Sequence, residues 1–205
     1  CARLGVKSLT LYAFSVENWK RPKAEVSFLM KLLRSFLVDE RPTLMENNIR
    51  LIGIGRLEDL PDESLAELRE TELMTAGHDG MKLRLALSYG SRSELADAAR
   101  ALAEDVVAGK LAPKDIHDET LRDYLYDPTT ADPDLVIRTA GEMRLSNFLL
   151  WQASYSELYV APMGWPEFRE PELHAALESY GGRTRKYGGL VSDLPPEQPS
   201  PSQGR

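Results

Sequence analysis

The stretch Lys82–Val107, KLRLALSYGSRSELADAARALAEDVV, changes period halfway along and so decides the fold. Leu83, Leu85 and Leu87 alternate with Lys82, Arg84 and Ala86, the two-residue repeat of a strand. Beyond Tyr89-Gly90 the repeat lengthens. Ser91 and Glu94 have the spacing of a capping box, and LADAARALAEDVV sets its apolar residues at helical intervals until Gly109 stops it. A strand that runs into an amphipathic helix is half of a crossover unit, whose strands pair in parallel through a right-handed connection.

The same alternation extends both ways. Upstream, Ser8–Phe14 (SLTLYAF) reads as a buried strand, and Val26, Leu29, Met30, Leu33, Phe36 and Leu37 predict one helix over Ala24–Met45. Ile49–Ile54 is strand and Asp62–Thr75 helix. Downstream come a short helix over Glu119–Tyr126 that ends at Pro128, a strand over Asp134–Arg138, a helix over Ser146–Ser154, a strand over Glu157–Val160 and a last helix over Pro166–Tyr180. The expected fold is α/β, a single domain with a mainly parallel β-sheet flanked by helices. The 205 residues, 42% of them hydrophobic, suffice for one such core. The domain is expected over 1–190, followed by a Pro-rich disordered tail over 191–205 that ends LPPEQPSPSQGR.

Composition excludes several classes of function. A net charge of −7 supplies no basic footprint for nucleic acid, so any anion site must be a local arginine cluster. Cys1 alone cannot form an internal disulfide, and its solitary presence suits a reducing, cytoplasmic setting. His78, His117 and His174 lack zinc spacing. No apolar run approaches the ~18 residues of a membrane span. The sequence opens on Cys1 with no initiator Met and enters a strand almost at once, so its true beginning is expected upstream.

In open α/β sheets ligands bind beyond the carboxyl ends of the strands. One such end is FSVENWKRP, Phe14–Pro22. There Ser15 and Asn18 offer hydrogen-bonding groups, Trp19 an apolar plate and Arg21 a forked cation. The same residues read equally as a helix cap, a packing indole and a surface charge. A second end is RTAGEMRLSN, Arg138–Asn147. Ala140-Gly141 permits a tight turn, Ser146-Asn147 opens the expected helix with its N–H groups outward, and Arg138 and Arg144 add bidentate donors. The three together predict a diphosphate socket, against the alternative of two surface arginines and a cap. Glu157, among the aromatics of SYSELYV, is either a ligand for a hard cation such as Mg2+ or a strand-edge carboxylate paired with an arginine.

LTLYAFSVENWKRP, the SYGSR turn, and DLVIRTAGEMRLSNFLLWQASYSELYV followed by WPEF closely resemble the cis-prenyltransferases of the undecaprenyl diphosphate synthase type, in order from about Leu4 to Gly189. The resemblance implies a transferase that condenses isopentenyl diphosphate onto an allylic diphosphate, farnesyl diphosphate in most members. It implies Mg2+ as cofactor and a cis-polyprenyl diphosphate as product, a lipid-carrier precursor for cell-wall glycan synthesis. By motif, Asn18 is expected to be catalytic through its handling of the departing proton. Ser15, Val16, Glu17, Trp19 and Arg21 are expected to line the substrate region. Arg138, Arg144 and Ser146, with Leu145 beside them, are expected to hold the isopentenyl diphosphate, and Glu157 the metal.

The resemblance also implies an apolar tunnel for the growing chain, with Val26, Phe28, Leu29, Met30 and Leu33 on one wall and Leu83, Leu85 and Leu87 opposite. The plain alternative for those residues is solid core. Arg183, Arg185 and Lys186 ahead of Tyr187-Gly188-Gly189 resemble the basic segment that reaches the other subunit in a homodimer. A cytoplasmic protein that meets the membrane through its product follows. The family's Asp-Gly-Asn loop, with its first strand and first helix, is absent from the sequence, so the chain as it stands is expected to be inactive. SYGSR replaces the more usual SYGGR, and Ala140-Gly141 replaces paired glycines, which Ala140 tolerates only at negative φ. A non-catalytic partner subunit is the rival reading. The persistence of Asn18, Arg21, Arg138, Arg144 and Ser146 favours the enzyme.

Overall fold

A computed structural model describes residues 1–184. The expected tail, and the expected dimer-reaching residues from Arg185 onward, lie outside the described residues. The chain divides into two compact units.

The first unit comprises 1–130 together with 146–151. Its strands are β1 (Ser8–Ser15), β2 (Arg50–Ile54) and β3 (Lys82–Tyr89), and its helices α1 (Lys23–Asp39), α2 (Arg41–Glu46), α3 (Asp62–Thr75), α4 (Ser91–Val107) and α5 (Asp118–Asp123). The sheet is parallel throughout, in the order β1-β3-β2, as the alternation of periods requires. Thr10 pairs with Arg84 and Ile52 with the same residue, which puts the three strands in one register. The pairing of β1 with β3 slips near its carboxyl end: Phe14 lies opposite Leu87 and Ser15 opposite Tyr89. Ser88 therefore sits in a bulge at φ 43°, and its carbonyl accepts from the Arg56 N–H instead.

Phe14, Met30, Leu37, Leu44, Leu51, Leu68 and Leu87 close one core, each contributing about 1.5–3 kcal/mol by leaving water. Of the expected tunnel wall, Met30 and Leu87 are buried in that core, and Val26, Leu29, Leu33, Leu83 and Leu85 pack against it. Phe28 does neither. It points to solvent, as do Leu32 and Phe36 on the same face of α1.

The second unit comprises 131–145 and the part of the chain from 152. Here β4 (Leu135–Arg138) and β5 (Glu157–Val160) form a two-stranded parallel ladder, with Leu135 opposite Glu157 and Arg138 opposite Val160. The helix α6 (Glu170–Gly181) packs on β5.

Four expectations need correction. The helix predicted over Ala24–Met45 is two helices, because Pro42 has no N–H to donate to Val38; the Glu40 N–H turns to the Phe36 and Val38 carbonyls and the chain restarts. The Ser91–Glu94 capping box does not form. Gly90 is the N-cap residue, and Ser91 is already helical. The final helix begins at Glu170 rather than Pro166, where Glu172 accepts the Arg169 N–H at 2.8 Å. Over Ser146–Ser154 there is no helix but a run of turns, with Ser146, Asn147 and Leu149 at φ 51°, 62° and 47°. Positive φ at three of four successive residues is incompatible with a right-handed helix.

Candidate active site

In the first unit the carboxyl end of β1 passes into a 3-10 turn, Val16–Lys20, that carries four of the expected site residues and is flanked by two more, Ser15 and Arg21. Asn18 does not cap α1. Its Oδ1 accepts the Ser15 N–H at 2.9 Å and its carbonyl accepts the Arg21 N–H, so Asn18 shapes the turn it belongs to. With Oδ1 engaged, the groups Asn18 can offer an external oxygen are its two Nδ2 hydrogens. Trp19 faces inward: Nε1 donates to Ser88 Oγ at 2.9 Å, Ser88 Oγ donates to Asp59 Oδ2 at 2.8 Å, and the indole stands edge-on to Phe14 with centroids 4.8 Å apart. The buried bulge at Ser88 thus orients the indole. Arg21 pairs with Glu25 one helical turn on, at 2.7 Å and in solvent.

Val16 and Glu17 lie against the Gly90 turn. A Cβ built on Gly90 would stand 2.7 Å from both Val16 Cγ2 and Asn147 Nδ2, so the close approach requires glycine there. Asn147 Nδ2 donates to Glu17 Oε1 at 3.0 Å. Burial alone would push the Glu17 carboxyl up, but the bonds from Asn147, its own N–H and the Ser15 hydroxyl, with the Lys20 charge, hold it below its ordinary value. Ser146, the residue before Asn147, is exposed and left-handed. Because the segment is not helical, no helix dipole assists it, and that part of the expected socket is withdrawn.

Behind these turns a buried polar network fixes the carboxyl end of β3. The Tyr89 hydroxyl donates to Glu94 Oε2 at 2.5 Å, and the Tyr126 N–H donates to Glu94 Oε1 at 3.1 Å. This is the work Glu94 does in place of a capping box. Burial first, and then the Glu94 charge, push the Tyr89 hydroxyl well above the usual phenol range, so it remains a donor. Tyr12 stacks on Phe148 at 4.5 Å, which anchors the 146–151 strip to the sheet.

In the second unit the two expected arginines meet on one carboxylate. Arg138, at the carboxyl end of β4, pairs with Glu142 Oε2, and Arg144 pairs with Glu142 Oε1 at 2.5 Å. The Arg138 guanidinium, ahead of Arg144, holds the Glu142 carboxyl below the usual carboxylate range. Arg138 Nε is buried and has no hydrogen-bond partner. The turn between the arginines is closed by Ala140 and Gly141, whose N–H groups donate to the Met163 and Ala161 carbonyls at 2.7 and 2.9 Å. Ala140 takes φ 63°, against the expectation of a negative value: both N–H bonds require the left-handed turn. Leu145 is half-buried beside Arg144.

Glu157 stands at the other end of the ladder, three register steps from the Arg138 level, or about 10 Å at 3.3 Å per residue. Its Oε2 accepts from Arg183 Nη1 at 2.6 Å, so the arginine-paired alternative describes it as it stands. Among the described residues no three acidic, histidine or cysteine side chains cluster to hold a metal ion.

Sequence reasoning missed Glu142 and Asn147. The first was legible as an acid four residues after one expected arginine and two before the other. The second needed long-range contacts that no local pattern encodes.

Comparison with known proteins names the family. The family model described as "Putative undecaprenyl diphosphate synthase" matches residues 1–188. The isoprenyl transferase of Geobacillus kaustophilus is 46% identical over 187 residues, covering 91% of this chain and 73% of that protein. That of Bacillus subtilis is 48% identical over 187 residues, covering 91% and 72%. The crystal structure of lavandulyl diphosphate synthase from Lavandula x intermedia, in complex with dimethylallyl diphosphate, superposes with a TM-score of 0.89 at 39% identity, covering 91% of this chain and 81% of that one. The chain therefore belongs to the undecaprenyl diphosphate synthase family of prenyltransferases.

Proposed function

We propose that the protein elongates prenyl chains, condensing isopentenyl diphosphate onto an allylic diphosphate, farnesyl diphosphate by preference, to give a cis-polyprenyl diphosphate that serves as a carrier-lipid precursor for cell-wall glycan. The observation that carries this reading is the Arg138–Glu142–Arg144 cluster. Two guanidinium forks converge on one carboxylate, and a buried Arg138 Nε–H is left over. A diphosphate offers more acceptor oxygens than a carboxylate and suits the pair better.

In the reaction the isopentenyl double bond forms a carbon–carbon bond to the allylic carbon, the allylic carbon–oxygen bond breaks, and inorganic pyrophosphate departs with the electron pair. A proton then leaves the isopentenyl methylene that lies between the cationic carbon and the diphosphate-bearing carbon, and the C–H electron pair becomes the new double bond. Arg138 and Arg144 bind the diphosphate that stays on the isopentenyl unit, with Ser146 as a further donor. Asn18 orients substrate oxygens through Nδ2 rather than accepting the proton, since an amide is a weak base and its Oδ1 is already occupied. The departing pyrophosphate is the better acceptor. Trp19, held by Ser88 and Asp59, presents a fixed apolar edge at the end of β1, next to Ser15, Val16 and Glu17. Holding two substrates in line supplies the entropic part of the rate.

Mg2+, expected from the resemblance, would supply charge neutralisation at the diphosphates when bound. The described residues do not form a site for it by themselves: Glu157 is the one expected ligand, and it is committed to Arg183. Mg2+ retains water and diphosphate oxygens in its shell, so a single carboxylate freed from Arg183 is compatible with it. No helix among the described residues is long and apolar enough to cross a membrane. A homodimer, a cytoplasmic location and contact with the membrane through the apolar product belong to the same proposal.

The test is incorporation of labelled isopentenyl diphosphate by the full-length protein with farnesyl diphosphate and Mg2+. Chain growth supports the enzyme. No incorporation under those conditions overturns it and promotes the non-catalytic partner subunit.

A further inference from the structure

We infer that Asn147 is a positioning residue, which holds the Glu17 carboxylate at the end of β1 in register with the first turn of α4. For its place in the reaction the inference rests on the prenyl-transfer reading above; the contact itself rests on geometry. Asn147 reaches three partners at once. Its carbonyl accepts the Ser91 N–H at 2.8 Å, its Oδ1 accepts the Arg92 N–H at 2.8 Å, and its Nδ2 donates to Glu17 Oε1 at 3.0 Å.

The first two bonds satisfy N–H groups of the first turn of α4 that have no partner within the helix. Asn147 thus caps α4 from 55 residues away in sequence, which is why no local capping box is needed. The second of them, at Oδ1, also fixes the orientation of the amide. Flipped, it would set Nδ2 against the Arg92 N–H and Oδ1 against a carboxylate, repulsive on both sides. A carboxylate at Glu17 is therefore the partner this amide selects. On the far side, Ser91 Oγ accepts the Leu150 N–H at 2.9 Å, which clamps the strip behind Asn147.

Left-handed φ at Asn147 is a conformation asparagine adopts at low cost. The glycine at position 90 admits Nδ2 and Val16 to within 2.7 Å of where a Cβ would stand. Glu17 is exposed, its other bonds come from Ser15 and its own N–H within the same turn, and Asn147 is the partner that reaches it from beyond that turn. The Asn147 side chain ties Glu17 to α4 and its main-chain carbonyl ties the backbone beside Ser146 to the same helix, so two expected substrate-contacting residues are placed through one residue.

Asn147→Asp is the discriminating variant. It keeps the acceptor for the Arg92 N–H, and so the cap, but replaces the donor to Glu17 with a second negative charge. Asn147→Asp, Glu17→Gln and the double variant of the full-length protein would be compared by steady-state kinetics, thermal unfolding and carboxyl-carbon NMR titration of Glu17. The expected result for Asn147→Asp is a melting temperature within about 4 °C of wild type. Its kcat/KM should be about tenfold lower in the wild-type background and less than about twofold lower in the Glu17→Gln background. The Glu17 titration midpoint should rise.

An equal kinetic loss in both backgrounds, no loss at all, or an unmoved Glu17 midpoint would overturn the inference. If the wild-type protein transfers no prenyl group, it is the functional reading that fails. The NMR midpoint then decides the Asn147–Glu17 contact alone, upheld by a rise and overturned by constancy.

Discussion

Asp127→Asn is the substitution whose consequence the structure defines most sharply. Arg84 lies on the central strand β3, its side chain 2% exposed, and its Nε donates to Asp127 Oδ2 at 2.6 Å; the Asp127 side chain is 10% exposed. Arg84 Nη1 donates to Ser8 Oγ at 2.6 Å, so the guanidinium ties β1, β3 and the turn after α5 together. The Thr129 and Thr130 hydroxyls donate to the same carboxylate at 2.6 and 2.5 Å. Asparagine is nearly isosteric, so packing survives, but the buried cation loses its counter-charge. Removing one partner of a buried pair costs about 3–5 kcal/mol, because the remaining charge is neither solvated nor compensated. With a urea slope of about 2 kcal/mol/M, the unfolding midpoint should fall by roughly 1.5–2.5 M. Arg84→Met added to Asp127→Asn should recover a substantial part, since the orphaned charge is then gone.

The pH profile supplies an independent check. Burial pushes the Asp127 carboxyl up, yet the Thr129 and Thr130 hydroxyls and the Arg84 guanidinium outweigh it and hold it at about 2, below its ordinary 3.8. A depressed carboxylate contributes stability that is present above its unfolded value and lost as pH falls through the folded one. Wild-type stability should therefore drop between about pH 4 and pH 2, and the Asp127→Asn profile should be flatter across that window. A loss below about 1 kcal/mol for Asp127→Asn, or parallel profiles, would refute the ion-pair reasoning.

Arg138→Ala should weaken isopentenyl diphosphate binding by roughly 1.5–3 kcal/mol, the worth of a charge-assisted hydrogen bond, and unchanged affinity by calorimetry would remove Arg138 from the site. Glu142→Gln should tighten binding of inorganic pyrophosphate by about three- to tenfold, because the carboxylate no longer competes for two partly exposed arginines. Weaker binding in that variant would show that Glu142 takes part in holding the ligand. Ala140→Gly should stabilise the fold by about 0.5–1 kcal/mol, because glycine adopts the observed left-handed φ without a Cβ penalty; a lower melting temperature would contradict that.

Where the sequence was legible, a single period carried the information. Asp62–Thr75 matches α3 at both ends, and the alternation around Leu83, Leu85 and Leu87 is β3. It misled wherever a local signal had a distant competitor. Ser91 and Glu94 have capping-box spacing, but Glu94 is taken by Tyr89 and Tyr126 while Asn147 supplies the cap. Ser146–Ser154 looks helical by composition, yet its carbonyl at Asn147 and its N–H at Leu150 serve α4, and the chain adopts left-handed turns to deliver them. The convergence of Arg138 and Arg144 was legible from their spacing about a tight turn, whereas the Glu142 carboxylate on which they converge went unread because ion-pair partners are chosen in space. Glu157 admitted two readings from sequence, and the Arg183 bond describes the molecule as it stands.

The membership of 146–151 in the first unit bears on how the chain is made. Residues 1–130 carry the whole three-stranded sheet and five helices, but the amides that open α4 and the aromatic face of Tyr12 wait for Asn147 and Phe148. On a ribosome adding about 5–20 residues per second, the 55 residues between Arg92 and Asn147 correspond to roughly 3–11 s. Through that interval the first turn of α4 lacks the bonds from Asn147, and Tyr12 lacks the ring of Phe148. The strip of this unit that is made last acts as a latch, so the turns at the carboxyl ends of β1 and β3 gain their final contacts only after the rest of the unit has been made.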